Sequence, residues 1–269
     1  MSPAHMSPAR MSPTFSRVDG QGPPLVLIHG VGLDHTMWDR VLDDLVPKHR
    51  VLRYDLWGHG RSDDPPGPRH ADDFVDQLVG VLDLHQFECS DVVGISLGGL
   101  IAVLTAARHP GRVRQVVLVS TVFKRNEHQI AGVRQRLEIA ENEGLEPVAD
   151  LATERWFTPQ WRAAHPAETE SVRQRLLTTD HAGYLKAYRL FTQADDLAAS
   201  SAPDIEAPTL VLAGERDTGS TPEMAAALAD AIPGGEARTM PGMHHLAPIE
   251  EPNLFSNAVL EFLNQERPA

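Results

Sequence analysis

The chain has 269 residues, of which 42% are hydrophobic and 23% charged, a composition typical of a folded globular protein with one large domain, or one domain carrying an insertion. Its formal net charge of −13 disfavours nucleic acid and anionic membrane surfaces as partners, because both are normally bound by patches of Lys and Arg. The single cysteine, Cys89, cannot form an internal disulfide, and we expect it to be a small buried residue beside a strand.

The N-terminal segment, residues 1–13, repeats a Met-Ser-Pro unit and lacks the apolar core of a secretory signal, so we predict a disordered leader there. The longest apolar stretch, residues 116–123, is far shorter than the roughly 20 residues that a membrane-spanning helix needs. No membrane span is therefore predicted, and a cytoplasmic location is the default expectation.

After the leader, short apolar runs alternate with stretches of helical periodicity. The apolar runs predict strands, in chain order, at 25–28, 51–54, 92–95, 113–119, 209–213 and, more weakly, 237–240. The periodic stretches predict helices at 38–45, 74–84, 97–109, 222–232 and 252–263. Strands and helices in alternation require a mostly parallel, twisted sheet with helices on both faces, and a ligand site at the carboxyl ends of the strands.

Residues 123–201 interrupt this alternation with charged, amphipathic helical patterns and no strand signal. We interpret them as a helical cap that is inserted into one α/β core domain. The predicted boundaries are 14–122 and 202–269 for the core and 123–201 for the cap.

The strongest motif is Gly94-Ile95-Ser96-Leu97-Gly98, which follows a predicted strand and opens a predicted helix. In that context GxSxG forms a nucleophile elbow, a sharp turn that exposes the serine hydroxyl at a helix N-terminus. The glycines are needed because side chains at their positions would collide with neighbouring backbone. Ser96 is therefore the predicted nucleophile, which requires an imidazole to accept its proton and a carboxylate to orient that imidazole.

Candidates for these two partners follow Ser96 along the chain. Their order, serine, then acid, then histidine, is the one that accompanies a nucleophile elbow in a parallel α/β sheet. Asp217, just after the strand at 209–213, is the predicted acid, with Glu215 as the alternative. The base lies in the loop after the last strand, where the adjacent His244 and His245 are both candidates. The residues alone leave that choice open.

These motifs resemble those of the α/β-hydrolase superfamily, and within it the chain is most similar to 3-oxoadipate enol-lactonases. The resemblance covers nearly the whole chain after the leader. Beyond the serine motif and Asp217, it rests on His29-Gly30-Val31-Gly32, on Asp55 with Gly58-His59-Gly60-Arg61-Ser62, on Pro248-Ile249-Glu250-Glu251-Pro252, and on cap segments such as Trp156-Phe157-Thr158-Pro159 and Gly183-Tyr184. It implies the α/β-hydrolase fold, and it assigns the base to His245, the histidine directly before an apolar residue.

The resemblance also implies an oxyanion hole formed by two backbone N–H groups, those of Val31 and Leu97. A serine nucleophile, where some members of the superfamily carry a carboxylate, favours acyl transfer to water. The predicted reaction is hydrolysis of a small-molecule ester or lactone, without a cofactor and without a metal. Carbon–carbon bond hydrolysis or perhydrolysis by the same residues, and a non-hydrolytic ligand-binding or biosynthetic protein, are the alternatives.

Substrate specificity is expected to depend on the cap. Trp57, Trp156, Tyr184 and Tyr188 are candidates for the substrate pocket, although aromatic residues at helical spacing also serve as packing residues. Five basic residues could bind a substrate carboxylate of the kind that an enol-lactone acid carries, or could face solvent. They are Lys124, Arg125, Arg134, Arg136 and Arg155.

Overall fold

The computed structural model describes residues 13–265. Residues 1–12 of the predicted leader lie outside the described residues. Pro13 is described, and its carbonyl accepts a hydrogen bond from the Asp63 backbone N–H at 3.1 Å. None of the described helices is long and apolar enough to cross a membrane.

One sheet of seven strands, in the order β1-β3-β2-β4-β5-β6-β7, forms the centre of the fold. The strands are β1 Ser16–Asp19, β2 Pro24–Ile28, β3 Arg50–Tyr54, β4 Ser90–Ile95, β5 Val113–Val119, β6 Thr209–Gly214 and β7 Glu236–Met240. Only β1 runs antiparallel to its neighbour, β3, and the other pairs are parallel. The predicted mostly parallel sheet is confirmed. Sequence reasoning missed β1 because this edge strand is short and half-exposed and has no continuous apolar run.

The central strands are covered on both faces. Every residue of β4 and β6 is buried, and since successive side chains of a strand point to opposite faces, protein must pack against both sides of the sheet. The helices that follow strands of the sheet are α1 Leu42–Leu45, α2 Ala71–Leu84, α3 Leu97–Arg108, α10 Pro222–Ala231, α11 Ala247–Glu250 and α12 Pro252–Leu263. Short 3₁₀ helices occupy His35–Val41, Pro110–Arg112 and Ala202–Asp204.

Two expectations about local structure are wrong. The helix predicted at 38–45 is mostly the 3₁₀ helix His35–Val41, followed by the single turn of α1. Trp38 and Val41 are three positions apart, a spacing that puts two side chains on one face of a 3₁₀ helix as well as of an α-helix, so it could not separate the two. Cys89 is exposed rather than buried, because it lies in the bend before β4 and not against the sheet.

Between β5 and β6 the described chain forms α-helices and no strand. These helices, called the cap helices below, are α4 Glu127–Glu143, α5 Leu145–Trp156, α6 Pro159–Ala164, α7 Pro166–Thr178, α8 His181–Phe191 and α9 Ala194–Ser201. Arg125, just before α4, is bonded to Asp195 in α9. Its backbone N–H donates to one carboxylate oxygen at 2.9 Å and its Nε donates to the other at 2.7 Å. The first and last of the cap helices are thereby linked. The domain boundaries given above, with a cap at 123–201, remain a prediction.

A buried polar cluster organises the loop after β3. Asp55 Oδ1 accepts a hydrogen bond from the His35 backbone N–H at 2.7 Å, and Oδ2 accepts one from the Arg61 backbone N–H at 2.8 Å. The rings of His29 and His59 lie beside this carboxylate with their centroids 5.5 Å apart. Burial, followed by the neighbouring charge of His29, lowers the pKa of His59 to about 3, and burial lowers the pKa of His29 as well.

We expect the free energy of unfolding to fall when the pH drops from 7 to 5. In the unfolded chain His59 takes up a proton below its ordinary pKa of 6.5, whereas in the folded protein it stays neutral until the pH nears 3. The unfolded state therefore binds more protons in this window, so stability is lost as the pH falls, by about 2 kcal/mol from His59 alone. Urea unfolding of the wild type and of His59→Gln at both pH values measures this contribution, and an equal pH dependence in the two proteins would contradict it.

Candidate active site

Ser96 occupies the turn between β4 and α3 in a strained conformation, with φ 56° and ψ −116°. Neighbouring glycines make the turn sterically possible. A Cβ on Gly94 would lie 2.2 Å from the Gly98 carbonyl oxygen, and a Cβ on Gly98 would lie 2.3 Å from the Ile28 carbonyl oxygen. The Ser96 backbone N–H donates to the Val119 carbonyl at 2.9 Å. The turn is thereby fixed, and Ser96 lines a cavity between the sheet and the cap helices.

His245 lines the same cavity from the loop that follows β7. Its Nδ1 lies 2.7 Å from Asp217 Oδ2, so a proton on Nδ1 is donated to the carboxylate and Nε2 is left as a proton acceptor. Asp217 Oδ1 accepts hydrogen bonds from the backbone N–H groups of Gly219 and Ser220, at 2.9 and 3.0 Å. The Ser120 hydroxyl donates to the His245 carbonyl at 3.3 Å. Both the ring and the backbone of His245 are therefore held.

The carboxylate of Asp217 is ionised at neutral pH although it is buried. Burial by itself raises the pKa of Asp217, but the charge of His245 and the hydrogen bonds from His245, Ser220 and Gly219 outweigh it and hold that pKa below its ordinary value. An ionised acceptor at this position fixes the tautomer of the histidine that it contacts.

The two alternatives from the sequence lie elsewhere. Glu215 is exposed, and its Oε2 accepts a hydrogen bond from the Gly242 backbone N–H at 2.7 Å. His244 Nδ1 lies 3.1 Å from the carbonyl oxygen of Arg155 in α5. The histidine in contact with Asp217 is therefore His245 and not His244. The carboxylate in contact with His245 is that of Asp217 and not that of Glu215.

The two amides predicted to receive an oxyanion border the serine. Leu97 is the first residue of α3, directly after Ser96, and Val31 lines the cavity. The loop that carries Val31 passes close to the serine, since a Cβ on Gly30 would lie 3.3 Å from Ser96 Cβ. Within residues 13–265 neither backbone N–H donates a hydrogen bond to the protein. Both amides are therefore available to a ligand.

The cavity contains about 560 Å³ of empty space, part of it open to solvent, and its wall is mainly apolar. Of the predicted pocket residues, Trp156 and Tyr188 line it. The Trp156 ring stacks on the His245 ring, with centroids 6.3 Å apart and planes inclined by 15°. Sequence reasoning missed the other apolar wall residues, because an apolar residue in a loop or a helix gives no sign in the sequence of whether it faces a cavity or the core. They include Leu33, Val122, Val133, Phe191 and Leu246.

Trp57 and Tyr184, two predicted pocket residues, do not line the cavity. Trp57 is buried in the loop after β3, where its indole Nε1 donates to the Thr14 hydroxyl at 2.9 Å. Tyr184 lies behind Tyr188, with the two rings stacked at a centroid distance of 5.4 Å. Both predictions fail because these aromatic side chains are used for packing between elements rather than for contact with a ligand.

The five basic candidates separate into three groups. Arg136 on α4 and Arg155 on α5 line the cavity. Arg125 is buried in its ion pair with Asp195, so its charge is already compensated. Lys124 and Arg134 are exposed to solvent.

One cluster among the described residues has the donor atoms of a metal site. Asp34, His35 and Asp55 place one ligand atom each within 4.8 Å of one another. The Asp55 and Asp34 oxygens already accept hydrogen bonds, from His35 and from the Thr36 backbone N–H. This cluster organises the loop after β3 and does not line the cavity.

Comparisons with known proteins agree with this architecture. A family model described as the alpha/beta hydrolase fold matches residues 23–252. The 3-oxoadipate enol-lactonase 2 of Acinetobacter baylyi is 29% identical, over 91% of this chain and 90% of that protein. The 2-hydroxymuconate semialdehyde hydrolase of a Pseudomonas species is 31% identical, over 91% of this chain and 88% of that protein. The crystal structure of an enol-lactonase from Burkholderia xenovorans superposes with a TM-score of 0.87 at 32% identity, covering 94% of this chain and 97% of that one. The resemblance drawn from the motifs is confirmed.

Proposed function

Because the chain belongs to the α/β-hydrolase family, whose members named above are hydrolases, we propose that it cleaves a carboxylic ester or lactone through an acyl-enzyme on Ser96. One observation carries the proposal. Ser96 and His245 line one cavity, and His245 is held at 2.7 Å by the ionised Asp217. A serine in a strained turn, an imidazole with a fixed tautomer and unpaired amides beside it are the parts that acyl transfer needs.

In the proposed mechanism the Ser96 hydroxyl attacks the acyl carbon while His245 Nε2 accepts its proton. Asp217 stabilises the imidazolium that forms, and the N–H groups of Val31 and Leu97 receive the oxyanion. His245 then protonates the departing oxygen, which for a lactone remains attached to the acyl group. Finally, water gives up a proton to His245 and attacks the acyl-enzyme. His245 returns that proton to the Ser96 oxygen as the bond to the acyl group breaks and the acid is released.

Carbon–carbon bond hydrolysis by the same three residues is the second candidate. It is favoured by the similarity to a 2-hydroxymuconate semialdehyde hydrolase. Hydrolysis of an ester or lactone is favoured over it, because the chain is similar to an enol-lactonase both in sequence and in structure.

Initial rates of the wild-type protein on short aryl esters, simple lactones, an enol-lactone acid and a diketone test this choice. We expect turnover of lactones and aryl esters and none of the diketone. Turnover of the diketone alone would favour the second candidate, and absence of turnover on every ester and lactone would count against the proposal.

A further inference from the structure

The cap helix α5 ends without a turn that would satisfy its own last carbonyls. The last four carbonyls of a helix have no partner within it, and many helices satisfy them with a left-handed turn at a glycine. α5 has no such turn, because Phe157, which follows its last residue Trp156, is extended, with φ −129° and ψ 149°. Partners for the carbonyls at this end must therefore come from another part of the chain.

Two of these carbonyls are bound by the residues on either side of His245. The Leu246 backbone N–H donates to the Trp156 carbonyl at 3.1 Å. His244 Nδ1 lies 3.1 Å from the Arg155 carbonyl oxygen. A carbonyl oxygen can only accept a hydrogen bond, so His244 carries a proton on Nδ1 and is the donor. The loop that contains the predicted base thus caps the C-terminal end of α5.

The chain just beyond α5 is bonded to the same part of the core. Glu250 in α11 is buried, and its Oε1 accepts hydrogen bonds from the Thr158 backbone N–H, at 3.2 Å, and from the Thr158 hydroxyl. The end of α5 is therefore held on both sides of Phe157, by the carbonyls of Arg155 and Trp156 before it and by Thr158 after it.

This attachment bears on the orientation of the His245 ring. Asp217 holds the ring at its edge, through the 2.7 Å contact with Nδ1, and Trp156 lies against its face, with centroids 6.3 Å apart and planes inclined by 15°. One hydrogen bond in the ring plane leaves the ring free to tilt about that bond, and a neighbour on the face opposes the tilt. In the free protein Nε2 accepts no hydrogen bond from Ser96 or from any other described residue. The orientation of the base therefore depends on Asp217 and Trp156.

We propose that His244 is a positioning residue for the base. By donating to the end of α5 it keeps the Trp156 ring on the His245 ring, and so keeps Nε2 aimed at the serine hydroxyl whose proton it takes up. This inference rests on the proposed function, because it concerns the base of that reaction. His244 does not line the cavity, so it acts through its neighbours and not by contact with a substrate.

Steady-state kinetics of His244→Leu on p-nitrophenyl acetate test the inference, because leucine cannot donate a hydrogen bond. Since a small misplacement of a catalytic group is costly, we expect kcat to fall about 10-fold or more, while KM changes by less than about 2-fold. His244→Asn should restore most of kcat, because the asparagine Nδ2 is as many bonds from the backbone as the histidine Nδ1 and can donate to the same carbonyl. Should His244→Leu fail to fold, His244→Ala takes its place with the same expected result.

His181→Leu is the matched control. His181 Nε2 lies 2.7 Å from the carbonyl oxygen of Ala140, in the last turn of α4, so it forms the same kind of bond between an imidazole and the end of a cap helix. Neither residue belongs to the loop of His245 or lines the cavity. We expect the kcat of His181→Leu to equal that of the wild type. An unchanged kcat in His244→Leu, an equal loss in His181→Leu, or a His244→Asn variant as slow as His244→Leu would overturn the inference.

Proton NMR gives a readout that does not require turnover. The proton that His245 donates to Asp217 should produce a downfield resonance that is absent from His245→Gln. We expect this resonance to broaden in His244→Leu, through faster exchange with water, and to stay sharp in His244→Asn and His181→Leu. An equally sharp resonance in His244→Leu and the wild type would contradict the inference. The proposed function fails separately: broadening in His244→Leu, together with no ester hydrolysis by the wild type, would refute hydrolysis and leave the positioning role standing.

Discussion

Replacing Ser96 with alanine is expected to lower kcat for ester or lactone hydrolysis by about 10⁴-fold or more. The substitution removes the only atom of Ser96 that can form the acyl-enzyme, while the amides of Val31 and Leu97 and the cavity wall remain to give slow residual hydrolysis. The backbone turn depends on Gly94 and Gly98 rather than on the hydroxyl, so the variant should fold. Initial rates and thermal melts of the two proteins measure both effects.

Ser220→Ala is the matched control for that substitution. Ser220 is a second serine in the wall of the cavity, and it is the backbone N–H of Ser220 that contacts Asp217. Loss of its hydroxyl should therefore cost far less activity than loss of the Ser96 hydroxyl. If Ser96→Ala kept near-native turnover, or if both variants lost activity to the same extent, Ser96 would not be the nucleophile.

Replacing His245 with glutamine should cause a comparable loss, because the Ser96 proton then has no acceptor and Asp217 has no imidazolium to stabilise. His244→Gln should be much milder, since the His244 ring contacts a backbone carbonyl of α5 and no carboxylate. Rates for both variants, measured beside Ser96→Ala, separate the adjacent histidines.

The double variant Ser96→Ala, His245→Gln provides a further check. Residues that act as one unit are strongly non-additive, so the double variant should be about as slow as either single variant. Losses that multiply would show that the two residues act independently, and a greater loss in His244→Gln than in His245→Gln would reverse the assignment of the base.

Much of the fold and the centre of the site could be predicted because the signals are local. Buried parallel strands such as β4 appear as continuous apolar runs, and the turn around Ser96 needs its glycines within five consecutive residues. Chain order then restricted the acid and the base to two short loops. The contact between His245 and Asp217 spans 28 positions and depends on the packing of both loops at the end of the sheet.

The wall of the cavity could not be predicted in the same way. Trp156 and Tyr188 face the cavity whereas Trp57 and Tyr184 are packed elsewhere, although all four are large aromatic residues. Whether each side chain lines the cavity depends on the residues that it contacts in the folded chain, and these contacts are distant in sequence. The arginines show the same limit: only the structure reveals that Arg125 is paired with Asp195 whereas Arg155 lines the cavity.

Trapping the acyl-enzyme is the most direct test of the central claim, that Ser96 carries the acyl group during hydrolysis. Wild-type protein mixed rapidly with p-nitrophenyl acetate should release nitrophenol in a stoichiometric burst when deacylation is slower than acylation. Acid quenching and peptide mass mapping should then find the acetyl group on the peptide that contains Ser96, and Ser96→Ala should show neither signal. Turnover with the acetyl group on another residue, or a burst that survives in Ser96→Ala, would contradict the account.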